Sequence, residues 1–266
     1  MNGEHAVSRV RHPIRFRQLV VARVETLTPK MKRIVLTGDE LDGFVSSGFD
    51  DHVKLFFPDA SGALPTPIVG TNGVSFPEGV PRPEGRDFTP RRYDAFRSEL
   101  TIDFGLHACG PATSWAASAV PGSVVGVAGP RGSAMVSDTF DWHLLVGDDT
   151  ALPAIARRLE ELPAFVTALA VVEVDDEKEE QTFETAATLV TKWVHRHGAA
   201  EDTVDNAVTS LVFPEGDGFA WVAGETAMAR RIRRHLIEDR QIDKAWIKAA
   251  AYWTLGAVGT HEVLAD

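Results

Sequence analysis

The stretch RDFTPRRYD, Arg86–Asp94, decides how this 266-residue chain reads. Three arginines, a threonine hydroxyl and two aromatic rings fall within nine residues. The forked guanidinium groups of Arg86 and Arg91 suit a dianionic pyrophosphate, because their paired N–H donors match adjacent anionic oxygens. Phe88 offers a ring face to a flat heterocycle, and the Thr89 hydroxyl can bond a ring nitrogen. A surface loop of solvated arginines is the plain alternative.

Upstream lies PDASGALPTPIVGTNGVSFPEGVPRPEG, residues 58–85, too rich in proline and glycine for the interior of a strand or helix. Its length marks either a functional cover or a disordered excursion. Downstream, ELTIDFGLH sets Leu100, Ile102, Phe104 and Leu106 on one face and Glu99, Thr101, Asp103 and His107 on the other, the period of a half-buried strand. FRQLVVARVE, MKRIVLT, HVKLFFP and SVVGVAG repeat the pattern. Five or six antiparallel strands with turn signals predict a small barrel or sandwich. In CGPATSWAASAV, Pro111 suits a first helical turn, and the small residues Ala112, Thr113 and Ser114 let an anion approach backbone N–H groups. An ordinary helix start is the competing reading there.

From about residue 138 the pattern alternates. HLLVGDD, TALAVVEVDD, GFAWVAGE and AWIKAAAYW predict strands, and ALPAIARRLEEL, ETAATLVTKWVHRHG and AMARRIRRHLIEDR predict helices between them. Strand–helix alternation implies a parallel, doubly wound sheet, which binds ligands outside the carboxyl ends of its strands. Those ends hold Asp148, Thr150 and Ala151, then Gly224 and Glu225. The acidic run EVDDEKEE, after the second strand, suits a free ribose 2′-hydroxyl and repels a 2′-phosphate, which favours NADH over NADPH. Arg196 could reverse that preference by contacting a phosphate.

Composition excludes several classes. The net charge of −11 argues against nucleic-acid binding. It is concentrated: residues 1–137 hold 15 Lys+Arg against 14 Asp+Glu, or +1, and residues 138–266 hold 12 against 24, or −12. No run approaches the roughly 20 apolar residues of a membrane span, and nothing at the N-terminus reads as an export signal, so the expected location is cytoplasmic, without membrane insertion. Cys109 is the single cysteine, which excludes an internal disulfide and a four-thiolate cluster. His195 and His197, two apart on an expected helix, cannot share one face as metal ligands, and no protein-bound metal is expected. Arg230, Arg231, Arg233 and Arg234 read as a solvated helix face.

In order and spacing, HVKLFFP, the proline-rich loop with RDFTPRRYD, DFGLHACGPATSWA, PGSVVGVAGPRGS, GDDTALPAIARRLEELP, WVAGETA and AAYW resemble the siderophore-interacting protein family, the flavin-dependent ferric-siderophore reductases of the ferredoxin reductase superfamily. The resemblance implies a two-domain β plus α/β protein. An antiparallel FAD-binding β-barrel would occupy residues 15–137, a doubly wound NAD(P)H-binding domain residues 138–253, and a tail residues 254–266. It assigns the flavin to Arg86, Phe88, Thr89, Arg91, His107, Ala112, Thr113 and Ser114, and the nicotinamide nucleotide to the strand ends named above. Lys54 would meet a ferric siderophore, with Lys248 a second pocket cation. Where relatives commonly carry arginine or lysine after the AAYW block, this chain continues TLGAVG, and Phe88 replaces a usual tyrosine. The implied reaction passes electrons from NAD(P)H through FAD to Fe(III), with no protein acid or nucleophile as catalyst. Two other readings keep part of this: a reductase serving a protein such as ferredoxin, or a siderophore-binding protein without redox turnover.

Overall fold

The structure is a computed structural model that describes His5 and residues 7–59, 61–70, 73–106, 110–257 and 262–264. The chain divides into two compact units, Val7–Val136 and a second formed by Met1–Ala6 with Ser137–Asp266.

The first unit is antiparallel throughout. Its strands are β1 (Val7–Arg11), β2 (Phe16–Thr28), β3 (Met31–Thr37), β4 (Val53–Phe56), β5 (Ile68–Gly70), β6 (Gly73–Ser75), β7 (Gly85–Phe88), β8 (Arg92–Asp94), β9 (Glu99–Gly105), β10 (Val124–Ala128) and β11 (Gly132–Val136), with helix α1 (Pro111–Ser118) between β9 and β10. Seven of them form one sheet in the order β7-β4-β10-β2-β3-β9-β8, and β1 pairs with β11 beside it. Period-two alternation drives this arrangement. Leu19 and Val21, Ile34 and Leu36, Leu100 and Ile102, and Val125 and Val127 all turn inward and are almost fully buried. The sheet curls into a half-barrel whose two edge strands, β7 and β8, belong to the same short stretch. Only Thr89–Arg91 separate them, so RDFTPRRYD runs from one edge of the sheet to the other.

The proline-rich loop packs as a cover over the outer face of β4 and β10. Phe76 meets Phe56 with ring centroids 5.5 Å apart, and Phe56 meets Phe16 at 5.9 Å. A Cβ on Gly126 would lie 2.4 Å from Phe16 and 3.0 Å from Leu64, so only glycine lets both side chains cross β10 there.

The second unit holds β12 (Trp142–Asp148), α2 (Leu152–Glu161), β13 (Thr167–Val174), β14 (Thr188–His195), α3 (Val204–Thr209), β15 (Gly218–Glu225), α4 (Thr226–Glu238), β16 (Ile247–Trp253) and β17 (Glu262–Val263). Sheet order is β14-β13-β12-β15-β16-β17, parallel except for β17, which lies in the segment read as a tail. The central strands β12 and β15 are buried nearly end to end, as continuous apolar runs covered on both faces must be. Leu144, Val146, Leu169 and Val171 pack with α3 and α4 residues such as Val208 and Ile232. On the opposite face α2 approaches so closely that a Cβ on Gly147 would stand 2.4 Å from that of Ala151 and 3.5 Å from Ile155.

One expected element is corrected. ETAATLVTKWVHRHG is not a helix: Thr188–His195 is β14, paired in parallel register with Thr167–Val174 of β13. Without it β13 would be an open edge, and the β-branched Thr188, Val190, Thr191 and Val194 suit a pleated surface better than a helix. His195 therefore sits at a strand end, its Nε2 2.8 Å from Glu180 Oε1. The β13–β14 crossover contains only a 3-10 turn, Glu177–Glu179, capped by Asp176. Among the described residues no helix is long and apolar enough to cross a membrane.

Candidate functional site

In the first unit the edge strand β7 presents Arg86 and Phe88 on the side shared with Val53 and Leu55 of β4, and Asp87 on the side shared with Lys54. Arg86 is held locally. Its Nη1 donates to the Gly85 carbonyl at 2.9 Å and its Nη2 to Glu84 Oε2 at 3.0 Å, while Glu84 itself is largely exposed. An anion entering here exchanges with the Glu84 carboxylate rather than paying the full cost of desolvating a guanidinium. Phe88 is half-buried, its ring 4.5 Å from Phe104, which in turn meets Trp115 at 5.6 Å. Phe88 thus rests against a core cluster of mutually tilted aromatic rings. Thr89 is buried in the crossing between the edges.

Arg91 is set differently from Arg86. It is buried, its backbone N–H donates to the Thr101 carbonyl, and its Nε lies 3.8 Å from Asp103 Oδ2. Asp103 also accepts a bidentate pair from Arg33 at 2.7 and 2.8 Å. That carboxylate occupies the polar position of the ELTIDFGLH alternation, and the structure turns it into an anchor between β9, β3 and the crossing.

The second anion feature is the start of α1. Gly110 precedes it with φ of 142°, and an added Cβ there would meet no atom of the described residues within 4 Å. Pro111 takes the first helical position, and the N–H groups of Ala112 and Thr113 have no intrahelical carbonyl to bond. Ser114 donates its N–H to Gly110 O at 2.9 Å and is exposed. A cavity of about 310 Å³ joins this helix start to the proline-rich loop, with Pro111, Phe57, Arg82 and Glu84 among its walls. Through Glu84 it reaches the Arg86 pair. His107 and Cys109 lie outside the described residues.

In the second unit the strand ends converge on Asp148, at the point between β12 and β15 where the strand order reverses. Asp148 is almost fully buried. Its Oδ1 accepts from the Thr150 N–H at 2.9 Å and from the Thr150 hydroxyl, and its Oδ2 accepts from the Glu225 N–H at 3.1 Å and the Trp253 indole at 2.8 Å. Burial and then the nearby Asp149 push its pKa up, against the Thr150 hydroxyl, the Trp253 indole and the charge of Arg196. One carboxyl group thereby clasps the ends of β12, β15 and β16. Gly224 fits beside it with φ of 142°, where a Cβ would stand 2.6 Å from Asp148 Oδ2. Ala151 is buried at the start of α2, and the Glu225 carboxylate accepts from the N–H groups of Ala227 and Met228, capping α4. Asp148, Thr150, Ala151, Gly224 and Glu225 are therefore brought together as the alternation predicts. Trp253 joins them, and only the fold reveals its bond.

A second constellation surrounds Arg196, beyond β14. Its guanidinium donates to Asp149 Oδ1 at 2.9 Å, Glu173 Oε2 at 3.1 Å and Asp175 Oδ1 at 2.8 Å. Burial lowers its pKa, but the bonds to Asp149 and Asp175 outweigh that effect and hold the group firmly charged. Lys248 lies elsewhere. It pairs with Trp221 near the amino end of β16, five residues and roughly 16 Å from Trp253 along the strand. Lys54 places its Nζ 2.7 Å from Asp87 Oδ1. Among the described residues no group of three or more His, Cys, Asp or Glu is arranged to hold a metal ion.

Known proteins match both units. Residues 20–134 fit the siderophore-interacting FAD-binding domain, and residues 140–256 fit the siderophore-interacting protein family model. The chain is 41% identical to an NADPH-dependent ferric-chelate reductase of Escherichia coli, covering 92% of this chain and 95% of that one. It is 35% identical to a ferric vibriobactin reductase of Vibrio cholerae, covering 90% of each. A siderophore utilization protein from T. fusca superposes with a TM-score of 0.86 at 38% identity, covering 97% of this chain and 98% of that one. The antiparallel half-barrel and the parallel sheet make the fold ferredoxin-reductase-like. With an FAD-binding unit followed by a strand-end site of this construction, the chain belongs to the siderophore-interacting protein family.

Proposed function

We propose that this chain is an FAD-dependent ferric-chelate reductase that draws electrons from NAD(P)H and delivers them to the Fe(III) of a siderophore, so that iron leaves as Fe(II). The observation that carries this reading is the cavity of about 310 Å³ between the first turn of α1 and the proline-rich loop. Its walls include Pro111, the first residue of α1, and Glu84, whose carboxylate pairs with the Arg86 guanidinium, so a helix start and a guanidinium already matched to an anion border it, as a pyrophosphate needs. The residues present therefore fit FAD. When bound, FAD supplies the conversion between a two-electron nicotinamide donor and one-electron Fe(III).

The protein's own part is binding and orientation. Arg86, exchanging Glu84 for phosphate, and the N–H groups of Ala112 and Thr113 would hold the anionic end, with Thr89 and Phe88 towards the ring. In the second unit the Asp148 clasp would fix the strand ends against which the nicotinamide lies, and Gly224 would keep the backbone low enough for its approach. No side chain need act as acid or nucleophile. Lys54 remains the substrate-facing lysine of this proposal, whereas the position of Lys248 at the amino end of β16 gives it no support.

For the nucleotide, three carboxylates surrounding Arg196 favour NADH, since a 2′-phosphate would have to displace at least one of them. The Escherichia coli relative carries NADPH in its name, so the ratio of kcat/KM for the two donors is the deciding quantity.

The test is an anaerobic visible spectrum of the purified protein with FAD, followed through addition of NADH or NADPH and then a ferric siderophore. Flavin bands that bleach and then return as Fe(II) forms support the reading. A protein that cannot take up FAD overturns it, and rapid reduction of ferredoxin with no ferric chelate reduced would make it an electron-carrier reductase instead.

A further inference from the structure

Strand β3 breaks the apolar pattern of the half-barrel at one inward position. Lys32, Ile34 and Leu36 share one side of the strand, opposite Phe104, Ile102 and Leu100 of β9. Ile34 and Leu36 are fully buried in the core, whereas their companion carries a charge. A half-buried lysine on the core side needs acceptors for its ammonium group. It finds them in α1: the Lys32 Nζ donates to the Ala116 carbonyl at 3.2 Å and to the Ala117 carbonyl at 2.8 Å. Lys32 has no ion pair among the described residues, so this helix end receives its whole charge. Helix α1 does not supply such a group itself. Neither an acidic residue in its first turn nor a basic one in its last offsets its dipole. Ser118 Oγ, 3.1 and 3.2 Å from the Ser114 and Trp115 carbonyls, serves two further acceptors near the same end. Midway along, the Trp115 indole donates to the Val124 carbonyl at 3.2 Å and ties the helix to β10.

We propose that Lys32 is a positioning residue for the flavin: by holding the carboxyl end of α1 it aims the N–H groups of Ala112 and Thr113 at the pyrophosphate. It thereby sets how tightly phosphate-bearing flavins bind without touching them. The proposal rests on the FAD reading above. Distance decides that the action is indirect. At about 1.5 Å per residue, α1 is about 12 Å long, and across that length a lone charge acts weakly on an anion at the amino end. Through the helix the coupling is direct. With its far end fixed by Lys32 and its middle by Trp115, α1 cannot swing its first turn away from the phosphates. The charges also cooperate, because a cation at the carboxyl end and an anion at the amino end stabilise the same helix dipole. Binding of the anion then finds the helix already ordered, and less of the binding free energy is spent on ordering it.

The experiment uses the full chain stripped of flavin, as wild type, Lys32→Met and Lys32→Arg. Methionine keeps the length of the stem and suits the core side, so the unit still folds. Affinities for FAD and for riboflavin, which has no phosphate, are read from quenching of flavin fluorescence, and inorganic pyrophosphate is titrated calorimetrically. Lys32→Met should weaken FAD and pyrophosphate binding by about threefold to tenfold, and riboflavin binding by less than about twofold. Lys32→Arg, which restores a charged donor to the same carbonyls, should bring FAD affinity back to within about twofold of wild type. An unchanged FAD affinity in Lys32→Met overturns the proposal. So does an equal loss for FAD and riboflavin, which would mark a general loosening of the unit, and so does a Lys32→Arg protein as weak as Lys32→Met. A wild type that binds FAD no more tightly than riboflavin, and does not bind pyrophosphate, fails the functional reading at its phosphate site and takes the proposal with it. A wild type that prefers FAD, with the preference intact in Lys32→Met, fails the proposal alone.

Discussion

Acid should weaken the second unit through one buried side chain. His143, near the start of β12, is fully buried between Phe140, Phe219 and the Arg158 guanidinium, whose Nη2 lies 3.4 Å from its Nε2. Burial, and then the positive charge of Arg158, lower its pKa to about 3 from an ordinary 6.5. Above pH 6.5 the ring is neutral folded or unfolded and costs nothing. Below it the unfolded chain takes up a proton that the folded chain refuses, so stability falls by about 1.4 kcal/mol per pH unit until the folded pKa is reached. Between pH 7 and pH 5 the loss is about 2 kcal/mol, and over the whole window it approaches about 5 kcal/mol. Urea unfolding of the FAD-bound protein, followed by tryptophan fluorescence, reads this unit, because Trp142, Trp193, Trp221, Trp246 and Trp253 lie in it and only Trp115 lies outside. His143→Gln keeps an acceptor near Arg158 and cannot titrate. Its stability should fall from pH 7 to pH 5 by about 2 kcal/mol less than that of wild type, other groups being common to both. Equal slopes for the two proteins would refute the argument.

Replacing Arg86 with alanine removes a charge-assisted donor and should weaken FAD binding by about tenfold to a hundredfold, measured by quenching of flavin fluorescence; unchanged affinity would remove Arg86 from the phosphate site. Glu84→Gln should act oppositely and strengthen FAD binding, because the competing carboxylate is lost. Gly224→Ala forces a Cβ against the Asp148 carboxyl group at an unfavourable φ and should cost about 1–3 kcal/mol in thermal unfolding together with a raised KM for the nicotinamide, whereas an unaltered melting temperature would contradict the clasp geometry. Paired Asp149→Asn and Asp175→Asn changes leave Arg196 with Glu173 as its one carboxylate partner of the three and should shift the ratio of kcat/KM towards NADPH by about tenfold; a ratio that stays put would separate Arg196 from nucleotide choice.

The β7–β8 crossing explains why RDFTPRRYD was so informative. A sheet that curls onto itself must bring its edges near one another, and a stretch short enough to touch both edges has to carry unusual side chains at each of them. Its arginines nonetheless behave unlike one another. Arg86 stands at an edge beside an exposed glutamate, while Arg91 is buried over Asp103. Residue spacing could not separate the two, because Arg86 takes its carboxylate from Glu84 two residues upstream, whereas Arg91 takes its own from Asp103 of β9.

Alternation and turn chemistry alone determined the two-part organisation, five strands of the half-barrel sheet (β2, β3, β4, β9 and β10) but not its edges β7 and β8, the helices α2 and α4, and the grouping of Asp148, Thr150, Gly224 and Glu225. These follow from local periodicity and from a topological rule about strand ends. Tertiary structure decided the rest. Thr188–His195 became a strand because β13 needed a hydrogen-bonding partner, a long-range demand that outweighed an ambiguous local pattern. Asp148 joined Trp253, 105 residues away, and Arg196 gathered Asp149, Glu173 and Asp175 from the carboxyl ends of β12 and β13. Such contacts depend on how separate strands stop at a common edge, and no single segment of sequence records where its neighbours stop.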